Sequence, residues 1–120
     1  MLSSYKELKV WQKSYQLVLD TYRMTERFPQ REHYGLASQI RRCAISIVSN
    51  IAEGYQRQYT GEYIQYLSIA FGSCAELETQ LMLAKDLSYL PPKDFSNLAD
   101  MLNEIGKMLN VLKRKLKTKT

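Results

Sequence analysis

Residues 39–54, QIRRCAISIVSNIAEG, constrain the fold most strongly, because their apolar residues occupy two adjoining helical stripes. A single stripe about 100° wide is enough for a helix to face one core. Here the first stripe is Ile40, Ala44, Ile47 and Ile51, and the second is Ile45, Val48, Ala52 and Tyr55. Together the two stripes exceed that width. The segment therefore predicts a helix that packs within its own subunit on one side and against another subunit on the other.

Helical periodicity continues through almost the whole chain, and no segment alternates polar and apolar residues as the strands of a hairpin would. Helices are predicted over about residues 5–27, from 32 or 33 to about 55–58, from a Thr60 cap to about 87, and from Pro91 and Pro92 onward. Prolines, glycines and polar residues separate them. Because the connections are short, we predict one all-α domain, residues 1–120, folded as an antiparallel up-down-up-down four-helix bundle.

Apolar stripes also predict which face of each helix is buried. In the first helix we expect Leu8, Trp11, Tyr15, Val18, Leu19 and Tyr22 to face the core. A smaller apolar stripe lies on the opposite side, where Val10, Leu17 and Met24 recur every seven residues. This stripe predicts contact with a second partner surface. Core stripes in the third and fourth helices run from Tyr63 to Ala84 and from Phe95 to Leu116. The resulting oligomer interface is predicted to contain Val10, Leu17, Met24, Ile45, Val48 and Phe71.

The composition, 45% hydrophobic and 24% charged, is typical of a globular protein, and no apolar run reaches the roughly 18 residues that a membrane span needs. The first residues, MLSSYKELKVWQ, do not resemble a secretory signal. We therefore expect a cytoplasmic protein with no membrane partner. Cys43 and Cys74 fall on apolar helix sides, which favours reduced core thiols over a disulfide or redox pair.

The net charge of +5 is concentrated near the C-terminus, where residues 107–120 include six basic residues and no acidic one. Lys113, Arg114, Lys115, Lys117 and Lys119 form the densest run, in a basic tail of about residues 113–120. One interpretation is a solvated helix end, whose cations favour the negative end of the helix dipole. The other is a frayed tail that contacts nucleic-acid phosphates.

Motifs of catalytic or metal chemistry are not found: the chain has no HExxH, CxxC, glycine-rich phosphate loop or GxSxG. The single histidine, His33, lies beside Glu32 near a helix start, where a surface or capping role is expected. We therefore predict a protein that is not an enzyme and has no cofactor and no metal. Ser46, Asn50 and Glu53 share a polar strip with Arg42, which favours a structural hydrogen-bond network at a helix crossing or subunit contact.

Two further features involve arginines. Arg41 projects into the apolar arc of the second helix, so it must be paired, and it either holds an interface carboxylate or lines a channel in an oligomer. Arg57 lies among four tyrosines around the turn between helices 2 and 3: Tyr55, Tyr59, Tyr63 and Tyr66. Aromatic and basic residues together can stack on exposed nucleotides, whereas tyrosines at a bundle end also cap a core.

Three segments resemble the 23S rRNA-intervening sequence proteins, or S23-type proteins. They are LKVWQKSYQLVLDTY, then FP followed by YGLASQIRRCAISIVSNIAEGYQR, then EYIQYLSIAFGSCAELETQL, and the resemblance covers about residues 5–115. The family is bacterial and its biochemical role is largely undefined. Its core motif maps onto Ser46, Asn50, Ile51, Ala52, Glu53 and Gly54. The resemblance implies four-helix bundles assembled as a homo-oligomer.

This family is similar to the accessory variability protein of diversity-generating retroelements, a basic homopentameric barrel that binds nucleic acid and partners a reverse transcriptase. By that likeness, the resemblance implies a homopentamer with a basic surface, and a protein partner such as a reverse transcriptase.

The leading hypothesis is a non-enzymatic homo-oligomer that binds RNA or DNA through phosphate contacts. The residues assigned to this contact are Lys113, Arg114, Lys115 and Lys117, followed by Arg41, Arg42 and Arg57. The alternative is a protein-interaction scaffold with no direct nucleic-acid role, whose basic residues serve solubility and whose surface docks an acidic partner. Loss of nucleic-acid affinity after removal of the basic tail would favour the first hypothesis over the second.

Overall fold

Four α-helices make up most of residues 2–118, the part of the chain that the computed structural model describes. Their bounds are Lys9–Thr25 for α1, Leu36–Tyr55 for α2, Thr60–Asp86 for α3 and Pro92–Lys117 for α4, with short 3₁₀ turns at Tyr5–Glu7 and Gln30–Glu32. Within residues 2–118 there is no strand, which confirms the all-α prediction. None of the helices in this stretch combines the length and apolarity needed to cross a membrane.

The helix starts differ from the predicted ones where a cap or turn intervenes. α2 begins at Leu36, several residues late, because residues 30–32 form a 3₁₀ turn and the Glu32 carboxylate accepts a hydrogen bond from the Leu36 amide at 3.1 Å. At α3 the cap position is Tyr59, and Thr60 is already helical, so the predicted Thr60 cap is wrong. α4 begins at Pro92 as predicted, since proline suits a first helical turn.

The end of α3 is a reverse turn built on a left-handed serine. Ser88 has φ 66°, a conformation that costs a residue with a side chain about 1–2 kcal/mol. Two hydrogen bonds stabilise it, from the Tyr89 amide to the Ala84 carbonyl at 2.8 Å and from the Ser88 amide to the Lys85 carbonyl at 2.9 Å. This is the Schellman pattern of helix termination. It directs Tyr89 back against Phe28, with the two ring centroids 5.6 Å apart.

The four helices pack around one core. α1 contacts α2 and α4, α3 contacts the same two helices, and the contact between α2 and α3 is the most extensive. The molecule measures 47 × 22 × 20 Å. The core stripes predicted for α2, α3 and α4 are confirmed by their completely buried or nearly buried members: Ile40, Ile47, Ile51, Leu67, Leu77, Leu81, Leu98, Ile105 and Leu109.

The prediction for α1 is confirmed only in part, because the helix is rotated so that Val10 and Leu17 of its smaller stripe are buried. Its buried residues are Val10, Ser14, Leu17, Thr21 and Thr25, whereas Tyr15, Leu19 and Tyr22 are exposed. Leu8, Trp11 and Val18 are half-buried and pack against the core as predicted. The buried threonines lose little on leaving water, because their hydroxyls donate to carbonyls of the same helix, Thr21 to Val18 at 2.8 Å and Thr25 to Thr21 at 2.7 Å. Val10 and Leu17 are therefore core residues and not interface residues.

The Glu32 carboxylate predicts how stability depends on pH. Its hydrogen bonds from the Leu36 amide and the Tyr89 hydroxyl, with the nearby Arg31 charge, lower its pKa below the ordinary 4.5. A lowered folded-state pKa stabilises the fold above the unfolded value, and that stability is lost as pH falls through the folded one. Thermal melts at a series of pH values measure this effect. As pH decreases below about 4.5, we expect the Tm of Glu32→Gln to decrease less steeply than the Tm of the parent protein. The control is the exposed Glu26→Gln, and equal slopes in both variants would contradict this assignment.

Candidate nucleic-acid interface and oligomer faces

The basic run lies in the last two turns of α4, and the helix continues to Lys117, so residues 113–117 are not frayed. Lys119 lies outside the described residues. Successive residues of a helix are rotated by about 100°, so these side chains surround the helix end. The Lys113 ammonium lies 5.4 Å from the ring centroid of Phe71 on α3. Lys115 points the other way and lines a groove with Leu8 and Lys9 beside α1.

The positive charge at the end of α4 favours the binding of an anionic ligand. Glu104 is the last acidic residue of the chain, and it forms an ion pair with Lys13 at 2.8 Å. Arg114 and Lys115 are exposed. The cations also stabilise α4 itself, because they lie at the negative end of its dipole. The same residues can therefore serve helix stability and phosphate binding.

The Arg41 guanidinium is hydrogen-bonded to groups of its own subunit. Its Nε donates to the Thr25 hydroxyl at 2.7 Å and its Nη2 to the Tyr22 carbonyl at 3.3 Å. Its guanidinium carbon also lies 4.4 Å from the centroid of the Tyr22 ring. Within the subunit, its partners are a hydroxyl, a carbonyl and a ring. Arg41 thus fastens the end of α1 to the start of α2, while its neighbour Arg42 is exposed.

Arg57 stacks on Tyr66 at the turn between α2 and α3. Its guanidinium carbon lies 4.7 Å from the ring centroid of Tyr66, and Nη2 donates a hydrogen bond to the Tyr66 hydroxyl. Arg57 also shares a cleft with Tyr5, just before α1. It is exposed, so it remains available to a ligand.

The remaining tyrosines of the turn mostly cap the core. The Tyr55 and Tyr63 rings meet edge to face at 6.1 Å, and the Tyr55 hydroxyl donates to the Leu2 carbonyl at 3.2 Å. Burial raises the pKa of Tyr63 to about 12. Tyr59 alone of these three is largely exposed, at 63%. The packing therefore favours the core-capping interpretation for Tyr55 and Tyr63.

The seven residues predicted to bind nucleic acid do not form one site. Arg57 and Lys115 each line a depression near the start of α1, at residues 5 and 8–10. Arg41 contacts Thr25 at the other end of α1. Sixteen residues of helix separate Lys9 from Thr25, a distance of about 24 Å. The structure brings together the end of α4 and the start of α1, and leaves Arg41 far from both.

The predicted polar network at a helix crossing is confirmed in part between α2 and α3: Ser46 and Asn50 belong to it, whereas Arg42 and Glu53 are exposed. The Ser46 and Ser73 hydroxyls are 3.1 Å apart, and Asn50 Nδ2 donates to the Ser46 carbonyl at 2.7 Å. Cys43 Sγ donates to the Ser73 carbonyl at 3.2 Å. Ser73 was not predicted to join this network, although it lies one position before Cys74, which was predicted on an apolar side of its helix.

Both cysteines are free and buried, as predicted. Burial, with Glu76 nearby, raises the pKa of Cys43 to about 12, and burial, with Glu78 nearby, raises that of Cys74 to about 12. Both thiols are therefore protonated at neutral pH, and only the thiolate is nucleophilic. Across residues 2–118, no group of three or more His, Cys, Asp and Glu side chains could hold a metal ion.

Two separate apolar faces remain exposed on the surface. The aromatic face, as we call it, consists of the exposed residues Tyr15, Leu19, Tyr22 and Ile45 of α1 and α2, with the half-buried Trp11 packed against Tyr15. The α3 face, as we call it, consists of Ile69 and Leu83 on α3 and of Leu87 directly after its end. Among the remaining residues predicted at an interface, Phe71 is exposed, Val48 is half-buried, and Met24 is half-buried and packs on the core. The sequence pattern thus predicted that Tyr15, Leu19 and Tyr22 of α1 face the core, whereas they lie on the surface.

Comparison with protein families identifies the relatives of this fold. The family model described as 23S rRNA-intervening sequence protein matches residues 6–111. The chain belongs to this family. The match covers most of the sequence and confirms the resemblance seen in the three sequence segments.

Among solved structures, the chain is similar to a protein of unknown function from the S23 ribosomal protein family of Bacteroides thetaiotaomicron. The TM-score is 0.81 at 24% identity, and the match covers 88% of this chain and 95% of that one. At this identity the likeness shows a shared fold. No curated protein gives a significant match.

The residues of the 23S rRNA-intervening sequence motif have structural contacts in this chain. Ser46 and Asn50 belong to the polar network, and Ile51 is completely buried. At Gly54, α2 lies close to α3, because a Cβ there would lie 2.8 Å from Tyr66 Cβ and 3.0 Å from Tyr63 Cδ1. These contacts explain Ser46, Asn50, Ile51 and Gly54 of the motif by packing and hydrogen bonding of α2 within the bundle.

Proposed function

We propose that this protein is a non-enzymatic, cytoplasmic homo-oligomer that binds RNA or DNA through phosphate contacts at the end of α4. The observation that carries the proposal is the placement of Lys113, Arg114, Lys115 and Lys117 around a helix end beyond the last acidic residue. Phosphate oxygens are the natural partners of such a cluster. Contacts of this kind position a protein on nucleic acid without reading its bases, so we expect weak sequence preference.

Within each subunit we propose an antiparallel up-down-up-down bundle. Two contacts between each pair of neighbouring helices support it. Within each pair of contacts, the one with the higher residue number on the first helix has the lower residue number on the second, as expected for helices that run in opposite directions. The contacts are Tyr22–Arg41 and Leu2–Tyr55, Cys43–Ser73 and Gly54–Tyr63, Phe71–Lys113 and Lys85–Phe95, and Lys13–Glu104 and Arg27–Asp94. In this arrangement the end of α4 lies beside the start of α1.

The two exposed apolar faces support self-association. The aromatic face lies on α1 and α2, and the α3 face lies on a helix that packs against α2 and α4. Because these faces differ, we propose that the first on one subunit meets the second on the next, a head-to-tail contact that closes into a ring. The proposed number of five subunits rests on the family's similarity to the pentameric accessory variability protein.

The positive charges that support nucleic-acid binding most directly are those of Lys113, Arg114, Lys115 and Lys117. Arg57 lies at the same end of the molecule. Arg42 is exposed on α2 and can add a contact at a distance. Arg41 contributes least, since its donors already bind Thr25 and Tyr22. By family analogy, a partner protein such as a reverse transcriptase would join at the assembled surface.

Fluorescence anisotropy with labelled duplex DNA and single-stranded RNA tests this function. Replacing Lys113, Arg114, Lys115 and Lys117 by Gln is expected to weaken duplex binding at least tenfold at low salt. The slope of log affinity against log salt should fall by about 3–4, because each lost phosphate contact contributes about 0.9. The matched control removes four charges near the other end by replacing Arg23, Arg27, Arg31 and Lys93 with Gln, and should change affinity less than twofold. Equal affinities for parent and tail variant would favour a scaffold without a nucleic-acid role.

A further inference from the structure

A groove lined by apolar residues and lysines lies between the start of α1 and the last turns of α4. Its volume is about 380 Å³. Its floor consists of Leu8, Val10, Met108, Val111 and Leu112, and its rim of Lys9, Lys107 and Lys115. Phosphate contacts would use the lysines, but they would leave the apolar floor in water. The apolar floor therefore fits a ligand other than a phosphate, one that has apolar groups of its own.

The floor is suited to an aliphatic side chain. Val111 is 40% exposed, and Leu8, Met108 and Leu112, which line the same groove, are half-buried. Isolated exposed apolar residues are common on protein surfaces, but here they are contiguous and concave. Burying such surface contributes about 25 cal/mol per Å². A methionine in the floor adds adaptability, because its flexible thioether adjusts to the shape of a partner.

The rim restricts the charge of the ligand. Lysines stand on both sides of the groove, Lys9 on α1 and Lys107 and Lys115 on α4, and no acidic residue lines it. An unpaired nucleobase would require an aromatic ring for stacking, and none of the residues that line this groove is aromatic. Aliphatic groups flanked by carboxylates fit both the floor and the rim.

The dimensions of the groove indicate a short helix. From Lys107 to Lys115 it follows eight residues of α4, which is about 12 Å or two helical turns. Beyond it, the ion pair between Lys13 and Glu104 joins α1 to α4. A helix of two to three turns presents apolar residues at i, i+4 and i+7 to such a groove. We propose that this groove binds an acidic amphipathic helix of a partner protein.

A synthetic probe tests the proposal without knowledge of the partner. The probe is a fluorescein-labelled 12-residue peptide with Leu at i, i+4 and i+7, Glu on the flanking positions, and a lactam bridge that holds the helix. The control peptide has the same composition and bridge but alternates Leu with Glu around the helix. We expect the full-length protein to bind the first peptide at least tenfold more tightly than the second. Equal affinities would overturn the proposal.

Variants separate this site from nucleic-acid binding. Val111→Asn is expected to weaken peptide binding about tenfold while changing the affinity for duplex DNA less than twofold. Lys107→Gln with Lys115→Gln should weaken peptide binding and reduce its dependence on salt, because only Lys9 then remains on the rim. The matched control is Leu2→Asn, an apolar residue 42% exposed outside the groove, which should leave the peptide affinity unchanged.

Two results with Val111→Asn would overturn the proposal. One is an unchanged peptide affinity, which would show that the floor makes no contact. The other is a smaller solution mass by light scattering, which would assign the groove to a second copy of the chain. Because the peptide assay uses no nucleic acid, loss of the proposed phosphate contacts would not affect its outcome.

Discussion

Leu17→Ala is expected to lower the free energy of unfolding by about 2–5 kcal/mol, the cost of truncating a completely buried leucine. Leu17 has no exposed surface and lies in the core. Removing its side-chain carbons leaves a cavity that four packed helices close only in part. Denaturant unfolding monitored by circular dichroism measures this change, at two protein concentrations so that any contribution from association is visible.

Leu19→Ala is the matched control, because it makes the same chemical change two residues along the helix. Leu19 is 38% exposed on the aromatic face, so the free energy of unfolding of the subunit should change by less than about 1 kcal/mol. The solution mass should instead fall if that face joins subunits. A large loss of stability in Leu19→Ala with little change in Leu17→Ala would mean that the larger stripe of α1 faces the core, as the sequence pattern suggested.

Gly54→Val is expected to lower the free energy of unfolding by about 1–3 kcal/mol through overpacking. The first added carbon would lie 2.8 Å from Tyr66 Cβ and 3.3 Å from the Tyr63 carbonyl oxygen. Neither atom is the free end of a flexible side chain, so α2 and α3 must move apart. Thermal and denaturant unfolding measure the loss, and reduced exchange protection at Ser46 and Asn50 would report the separation of the two helices.

Gly61→Val controls for the change of residue type. No atom lies within 4 Å of the position that a Cβ would occupy on Gly61, so its free energy of unfolding should change by less than about 0.5 kcal/mol. If both variants lost the same stability, the effect would come from valine in a helix and not from the approach of α2 to α3.

The sequence alone determined the helical class, the family and the buried faces of α2, α3 and α4. Those faces were predictable because aliphatic residues such as Ile47, Leu77 and Ile105 recur at helical spacing, and no competing stripe is as apolar. The polar strip was also predictable through Ser46 and Asn50, since their hydrogen-bonding groups lie one turn apart. Both kinds of pattern depend on local periodicity, which a sequence displays directly.

Only the tertiary structure decided which face of α1 is buried and how the basic run is divided. Thr21 and Thr25 read as polar in a sequence, yet their hydroxyls bond within the helix and allow close packing. Lys113 and Lys115 are neighbours in sequence but point toward α3 and α1. The partners of Arg41 and the groove beside Val111 likewise come from separate helices. Periodicity fixes the faces of one helix, whereas contacts between helices depend on shape and on hydrogen bonds that form only after packing.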